Sequence, residues 1–300
     1  MVAGRLGGRF SSFARPLYLR IEKIKVDQKL LQIMSIFNLY VKTIMKHILI
    51  AILLAIPICG CSYAQKNEEV LYQTSTINAL LDEVYDGNVT FKELKKHGDL
   101  GLGTFNNLDG EMIGLDGVFY QIKADGIAYP VDDLMETPFA VVTFFEPDKT
   151  IVLKKSVNYK QLEQYLDNAL PTKNIFYAFK IEGTFKYVKT RSVPGQNKPY
   201  QPLVEIVKDQ PIFEFHEVKG ILVGSRFPGY MKGINVPGYH FHFITKDKKA
   251  GGHLLECQTG NVEIGIDYTS NSYLALPEDE EFYKAELSKE NRVVLEKVEK

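Results

Sequence analysis

Tryptophan is absent from this 300-residue chain, and cysteine is scarce, with three residues. Only Cys61 and Cys257 lie beyond residue 60, so disulfide bonds cannot form the framework of the fold. Low-complexity segments and blocks of like charge are also missing, which argues against a disordered tail of either kind. The chain does contain 45% hydrophobic residues, 24% charged residues, 17 Tyr and 18 Phe, as expected for a globular protein with a core.

Several catalytic fingerprints are missing as well. The sequence contains no H-E-x-x-H zinc motif, no G-x-S-x-G motif, no P-loop and no dinucleotide-binding glycine motif. The glycine cluster at residues 98–103 indicates only a turn. A cupin would place a glutamate shortly after an H-x-H pair, but Thr245 and Lys246 stand there. These absences argue against the common hydrolase and nucleotide-binding classes.

An apolar run of eleven residues begins at Ile48, and it is too short to span a bilayer, which takes about 20 residues. It follows Lys46 and precedes small residues and a cysteine, which is typical of a secretory signal peptide over residues 45–64. The cysteine context resembles a bacterial lipobox, with Cys61 as the lipidated residue. Cleavage after Ala64 and an N-terminal core helix are the alternatives.

Because a signal peptide belongs at an N-terminus, we predict that Met45 is the true start and residues 1–44 are an upstream extension. A long translated leader beginning at Met1 is the alternative. We therefore expect an exported protein, either periplasmic or anchored to the membrane through a lipid on Cys61. If the signal is not used, the protein is cytoplasmic.

The charge balance changes beyond residue 60. Removing the nine Lys/Arg and two Asp/Glu of residues 1–60 leaves 27 basic and 35 acidic side chains, a net charge of −8. Nucleic-acid binding depends on a basic surface, so an acidic body argues against a nucleic-acid partner.

Hydrophobic periodicity predicts an α+β protein with mixed, mostly antiparallel sheets and flanking helices. Three Asp-Gly turns separate short apolar strands after Gly101, which is typical of a β-meander. The predicted helices cover residues 74–87, 90–98, 158–170 and 278–287; the predicted strands include a buried central strand at 138–147, a hairpin at 174–193 and a strand-rich region at 213–268.

Two sheet-based domains of related topology are expected, because the tripeptide "GTF" occurs at residues 103–105 and again at 183–185. They would be an N-terminal α/β domain at 70–172 and a β-rich domain at 173–300. Coincidence is the alternative explanation for so short a repeat.

Half of the six histidines lie within fourteen residues, in "GYHFHFITKDKKAGGHLL". In a strand, His240 and His242 share one face, while the aromatic residues between and beside them face the core. The polar, glycine-ended stretch that follows predicts a turn, and His253 would return opposite His242 at about 4.5–5.5 Å between Cβ atoms. Three imidazoles would then converge in the predicted β-rich domain.

Three protein ligands plus an open position are typical of a catalytic zinc site, although other divalent transition metals suit the same ligands. An H-x-H pair alone also occurs as two surface residues on a strand. The third histidine at hairpin-return distance favours metal binding. His97, at a predicted helix end, and His216, at a predicted strand edge, are expected to be structural.

Three separated segments resemble the alpha-acetolactate decarboxylase family, and they occur in the family's order. They are "GTFNNLDGEMIGLDGVFYQ", "FYAFKIEGTFKYVKTR" and "PGYHFHFITKDKKAGGHLL". The resemblance covers the chain from about Leu71 to the C-terminus. The segment before Met45 has no counterpart in it.

The resemblance implies a two-domain α/β protein with a zinc ion held by three histidines, which match His240, His242 and His253. It further implies roles in catalysis for the residues that match Thr104 in "GTF", Glu111 in "LDGE", Arg191 in "VKTR" and Glu299 in the tail, with Glu296 as the alternative tail residue. Taken from spacing alone, Arg191 would be a solvated strand-end charge and Glu111 a turn residue.

The implied reaction is decarboxylation of 2-acetolactate to (R)-acetoin, a step in acetoin and butanediol biosynthesis. Loss of carbon dioxide from this β-keto acid leaves an electron pair that a metal chelated by the ketone and hydroxyl oxygens can stabilise, so no organic cofactor is expected. An arginine fork suits the carboxylate, and a carboxylic acid delivers the final proton. A homodimer is left open.

Two other functions compete with this one. An exported zinc-binding lipoprotein without catalysis would use the same histidines but would not need Arg191 and Glu111 nearby. A zinc hydratase of the carbonic anhydrase kind also uses H-x-H plus a later histidine, but it needs no arginine for a carboxylate.

Overall fold

The computed structural model describes residues 28–54 and 70–288, together with Leu295 and Val298. By its internal contacts the chain divides into two units, Met1–Ala64 and Gln65–Lys300.

In the first unit the described residues form one helix, α1 (Gln28–Leu54). The predicted start at Met45 falls within this helix. Cys61 and Ala64, at which processing is predicted, lie outside the described residues. No helix in the described part of the chain is long and apolar enough to cross a membrane.

The second unit is rich in strands, and its helices are short. The helices are α2 (Ile77–Leu81), α3 (Phe91–Leu94), α4 (Tyr159–Ala169), α5 (Leu203–Ile206) and α6 (Glu280–Lys284). The strands are β1 (Val70–Thr74), β2 (Val89–Thr90), β3 (Leu100–Thr104), β4 (Glu111–Leu115), β5 (Val118–Ile122), β6 (Ala128–Pro130), β7 (Glu136–Thr137), β8 (Ala140–Thr143), β9 (Lys149–Leu153), β10 (Phe176–Arg191), β11 (Ile212–Phe227), β12 (Gly238–Thr245), β13 (Gly251–Thr269) and β14 (Asn271–Ala275).

The strands form two main sheets and a small ribbon of β2 and β7. The first sheet has the order β14-β1-β8-β3-β4-β5-β6, and its pairs are antiparallel except for β1 with β14. The second sheet has the order β10-β11-β12-β13-β9 and is antiparallel. Because β10 also pairs with β13, the strands β10, β11, β12 and β13 form a closed ring of paired strands. The predicted α+β class with mostly antiparallel sheets is confirmed.

Each sheet contains a strand from the other part of the chain. Strand β9, at residues 149–153, joins the second sheet, and β14, at residues 271–275, joins the first. The two halves of the chain on either side of residue 172 therefore exchange a strand. The division into domains at 70–172 and 173–300 stays a prediction.

Capping side chains begin two of the predicted helices. Asn158 and Gln161 form a reciprocal capping box at the start of α4, as the predicted helix requires. Thr90 accepts a hydrogen bond from the backbone N–H of Glu93 at the start of α3. The helix predicted over residues 74–87 is reduced to the five residues of α2. Thr74 belongs to β1 and pairs with Ala275 of β14, so the helix begins later. Glu83, with a φ of +68°, interrupts the helical backbone after α2.

The hairpin predicted at residues 174–193 is wrong. Residues Phe176–Arg191 form one 16-residue strand, β10, with register irregularities around Gly183 and Phe185. The alternating pattern was correct for a strand, but the glycine accommodates a bulge and not a turn, because β11 and β13 pair along both edges of β10. The predicted meander and the buried central strand, β8, are confirmed.

Candidate metal centre and active site

Three histidines meet on neighbouring strands of the second sheet. His240 and His242 lie on β12, and His253 lies on β13 directly opposite His242. One ring nitrogen from each residue lies within 4.8 Å of the other two, and His240 Nε2 is 3.1 Å from His253 Nδ1. The shared face and the cross-hairpin pair expected from the sequence are both present.

Local sequence explains why the rings point to the same place. Phe241 and Phe243 alternate with the histidines and pack in the core of the second sheet. At the start of β13, a Cβ atom on Gly252 would lie only 2.3 Å from the carbonyl oxygen of Arg191, and the φ of Gly252 is +142°. Glycine is therefore needed there for β10 to approach the strand that carries His253.

The ring of His242 is oriented by the first sheet. Its Nδ1–H donates to the main-chain carbonyl of Met112 at 2.8 Å, so the other nitrogen, Nε2, faces the group of histidines. That nitrogen is buried and has no hydrogen-bond partner among the described residues. A carbonyl that fixes the tautomer and leaves the second nitrogen available is the usual support of a metal-binding histidine.

Burial keeps two of these imidazoles, those of His240 and His242, neutral. Desolvation, with a smaller contribution from the Arg191 guanidinium, lowers the pKa of His240 to about 3. The pKa of His242 is also held well below its usual value. Desolvation is the largest cause, and the neighbouring His240 is the second. Neutral imidazole is the form that binds metal ions, so the rings are ready to act as ligands at neutral pH. The donor set, its spacing and the unpartnered Nε2 all fit a divalent transition metal.

Glu111 and Thr104 come from the first sheet, where they form a directly opposed pair on β4 and β3. Both side chains are buried. The Thr104 hydroxyl donates to the carbonyl of Gly110 at 2.8 Å, which fixes the turn that precedes Glu111. One oxygen of Glu111, Oε2, lies 3.5 Å from Nε2 of His242.

Arg191 ends β10 and lies opposite His253 across the β10–β13 pair. Its Nη1 is 3.7 Å from Oε1 of Glu111, and its Nη2 donates to the main-chain carbonyl of Val298 at 2.7 Å. The Nε atom is buried and has no hydrogen-bond partner among the described residues. Arg191 is thus a buried cation in contact with the site, not the solvated strand-end charge that spacing alone suggests.

These residues line a cavity. The centre of a water-sized sphere can move through about 40 Å³ of it. A single water needs about 10–15 Å³ on this measure, so the cavity holds more than one small group. One side is polar and contains the three histidines, Glu111, Arg191 and Thr104. The other side is apolar and is lined by Ile77, Leu80, Leu108, Phe139, Val193, Leu203 and Val298.

The remaining predicted residues are two tail glutamates and two histidines. Glu299 and Glu296 lie outside the described residues, although their neighbour Val298 lines the cavity. His97 stacks on Tyr72 with ring centroids 4.0 Å apart, and the His216 side chain is 70% exposed.

Sequence reasoning missed the main-chain carbonyls of Met112 and Val298, which hold His242 and Arg191. A main-chain group leaves no residue-type signal in a sequence. The apolar lining was also missed, because its residues come from six separated stretches of chain.

The fold and the site together define an α+β protein with a buried three-histidine ligand set, a buried arginine and a buried glutamate around one cavity. The family model of alpha-acetolactate decarboxylase matches residues 71–289. The chain belongs to the alpha-acetolactate decarboxylase family, whose members are carboxy-lyases.

Named relatives agree with this assignment. Alpha-acetolactate decarboxylase from Methanosarcina mazei is 54% identical over 232 residues, which are 77% of this chain and 81% of the relative. The protein of the same name from Bacillus subtilis is 45% identical over 228 residues, covering 75% of this chain and 89% of the relative. The crystal structure from Bacillus subtilis strain 168 matches with a TM-score of 0.75 at 43% identity, covering 76% of this chain and 98% of that one.

Proposed function

We propose that this chain decarboxylates 2-acetolactate, (S)-2-hydroxy-2-methyl-3-oxobutanoate, to (R)-acetoin and carbon dioxide. Family membership and the shared name of its relatives support the substrate and the reaction. The observation that carries the proposal is the convergence of a metal-ligand set, a buried arginine and a buried carboxyl group on one cavity.

The reaction sets three requirements. The bond between the carboxylate carbon and the carbinol carbon breaks, and its electron pair forms a double bond to the adjacent ketone carbon while charge moves to the ketone oxygen. One proton must then reach the former carbinol carbon from one side. The site must therefore hold a carboxylate, stabilise an oxyanion and deliver a proton.

His240, His242 and His253 would hold a zinc ion, or another divalent transition metal with the same ligand preference. Such an ion, when bound, supplies a Lewis acid that stabilises negative charge on the oxygens of the substrate. The proposal requires no organic cofactor. The lowered pKa values of His240 and His242 support metal binding by these residues, because both rings keep a free electron pair for the metal at neutral pH.

Arg191 would bind the substrate carboxylate. Its Nη2 is held by the Val298 carbonyl, while Nε has no partner among the described residues and Nη1 only a 3.7 Å contact with Glu111. A guanidinium fixed in this way offers the remaining N–H groups to a planar anion at little further cost in side-chain entropy. When the neutral carbon dioxide forms, the attraction to the guanidinium weakens and the product can leave.

Glu111 is the proton donor in this proposal, and Glu299 is the alternative. Glu111 lies between the guanidinium of Arg191 and the imidazole of His242, at 3.7 Å and 3.5 Å. The Thr104 hydroxyl donates to Gly110 and can still accept one hydrogen bond, which suits the hydroxyl group of the substrate.

A direct test is to supply racemic acetolactate to the purified full chain and to measure acetoin and its enantiomers. The metal-loaded protein, a chelated sample and a heat-inactivated sample are compared, because a β-keto acid also loses carbon dioxide slowly in water without stereoselection. We expect an excess of (R)-acetoin, formed faster than in the heat-inactivated sample, from the metal-loaded protein only. Acetoin at the heat-inactivated rate, or in racemic form, would refute the function.

We also propose that the protein is exported, on the basis of the signal-peptide pattern at residues 45–64. Mass spectrometry of the mature N-terminus from the source cells tests this. A diacylglyceryl-modified Cys61 or a new N-terminus after Ala64 is expected, and an N-terminus at Met1 or Met45 would contradict export by this signal.

A further inference from the structure

Two hydroxyl residues, Thr190 and Ser192, flank Arg191 in the chain. Both have 0% of their surface exposed to solvent. Neither lines the cavity, and neither has a part in the chemistry proposed above. Buried hydroxyl groups in proteins are nearly always hydrogen-bonded. The hydrogen-bond partners of Thr190 and Ser192 therefore show which parts of the fold these two residues hold together.

Thr190 connects Arg191 to the histidine hairpin. Its hydroxyl donates to the carbonyl of Gly251 at 3.1 Å. Gly251 precedes His253 by two residues, and His253 is the residue paired with Arg191. The bond therefore fixes the end of β10 against the start of the strand that carries the third histidine.

Ser192 connects Arg191 to the other sheet. Its hydroxyl donates to the carbonyl of Ile122 at 2.7 Å, across 70 residues of sequence. Ile122 lies directly opposite Glu111 in the β4–β5 pair. The bond therefore joins the end of β10, in the second sheet, to the strand that supports Glu111 in the first.

We propose that Thr190 and Ser192 are positioning residues for Arg191, which fix its guanidinium relative to His253 on one side and Glu111 on the other. This inference rests on the proposed function, in which Arg191 binds the substrate carboxylate. The two bonds run to different sheets, so together they set the place of the guanidinium in the cavity. Errors of about 1 Å in such a group can lower rates by about 100-fold.

The test compares Ser192→Ala and Thr190→Val, which remove the hydroxyl groups, in the full chain with acetolactate as the substrate. We expect KM to rise about tenfold and kcat/KM to fall between about 10-fold and 100-fold, because the carboxylate fork is displaced. A purely structural role would lower the amount of active protein, which reduces the apparent kcat and leaves KM unchanged.

Matched variants separate position from stability. Thr259→Val removes another fully buried hydroxyl from β13, where Thr259 bonds the main chain of Lys155 and Val157. It is expected to lower Tm about as much as Thr190→Val without a change in KM. Thr190→Ser and Ser192→Thr keep the hydroxyl groups and are expected to keep KM near the wild-type value.

The outcomes divide clearly. Wild-type KM in both hydroxyl-deleted variants, or equal defects in Thr190→Ser and Thr190→Val, overturns the inference. If one deletion fails to fold, the other decides by the same criterion. Failure of the wild-type chain to form acetoin would instead refute the proposed function, and it is seen before any variant is measured.

Discussion

The two sheets contribute to the cavity in different ways. The second sheet supplies three histidines from one hairpin, β12–β13, within fourteen residues of sequence. The first sheet supplies Thr104 and Glu111, and these are held by a turn and by contacts to residues far away in the chain. The proposed metal-ligand set is therefore encoded locally, whereas Glu111 and Arg191 meet only through the tertiary fold.

This difference separates binding from catalysis. The hairpin can present three nitrogens without help from the first sheet, apart from the Met112 carbonyl that orients His242. The groups proposed to bind the carboxylate and to deliver the proton depend on the two sheets being held together. We therefore expect metal binding to survive changes on the first sheet that abolish turnover.

The largest effect is expected for His242→Ala, which breaks the hairpin side. Loss of one of three ligands removes several kcal/mol of charge stabilisation, so kcat/KM should fall by at least about a thousandfold. Metal per chain, measured by elemental analysis after dialysis, should fall with it. His216→Ala, on the same sheet and exposed, is the matched control. A variant at position 242 that keeps both its metal and its turnover would contradict the site.

Glu111→Gln addresses the first-sheet side. General acid catalysis contributes about 10²–10⁴-fold, so we expect a loss of about 100-fold or more in kcat with the metal retained. The measurement is acetoin formation together with its enantiomeric purity. Full rate and full purity would transfer the role of proton donor to Glu299.

Arg191→Lys tests the strand end that lies between the two sheets. The positive charge is kept but the planar fork is lost, and a hydrogen bond to a charged group is worth about 1.5–3 kcal/mol, so we expect KM to rise about tenfold or more. The hydrogen bond to the Val298 carbonyl can be remade by the ammonium group. An unchanged KM would show that the fork is not used for the carboxylate.

The smallest effect concerns the segment that joins the sheets, between β8 and β9. Asp267, on β13, is buried against this segment and accepts a hydrogen bond from the backbone N–H of Glu146. Desolvation, with further contributions from Asp148, Glu146 and Asp99, raises its pKa to about 7. The folded chain thus holds a proton that the unfolded chain releases near pH 4. Stability is full below that pH and falls as pH rises towards 7, by at most about 1.4 kcal/mol per unit.

Replacing Asp267 by Asn removes this titration but keeps an oxygen for the backbone N–H of Glu146. Urea unfolding at pH 5 and pH 8 should show the variant gaining stability over the wild type as pH rises. An equal difference at the two pH values would mean that folding does not raise the pKa of Asp267.

The sequence predicted those features of the fold that depend only on residues close together along the chain. The H-x-H face needs only the two-residue period of a strand, and the helix predicted at 158–170 needs only the apolar spacing within its own residues. The continuous strand at 176–191 could not be predicted in this way, because its pairing partners lie 21 to 93 residues away along the chain. For Glu111 and Arg191, spacing carried no signal and only the family resemblance did.

The exchange of β9 and β14 between the sheets has a consequence for synthesis. When the first 172 residues have been synthesised, β9 is present but its pairing partner, β13, is not. The β1 edge of the first sheet stays unpaired until residue 275, the end of β14, has emerged from the ribosome. Long-range pairing of this kind forms late and slowly. Two separately expressed halves would each carry an unmatched strand, and assembly on mixing would restore acetoin formation only if both strands reached their places.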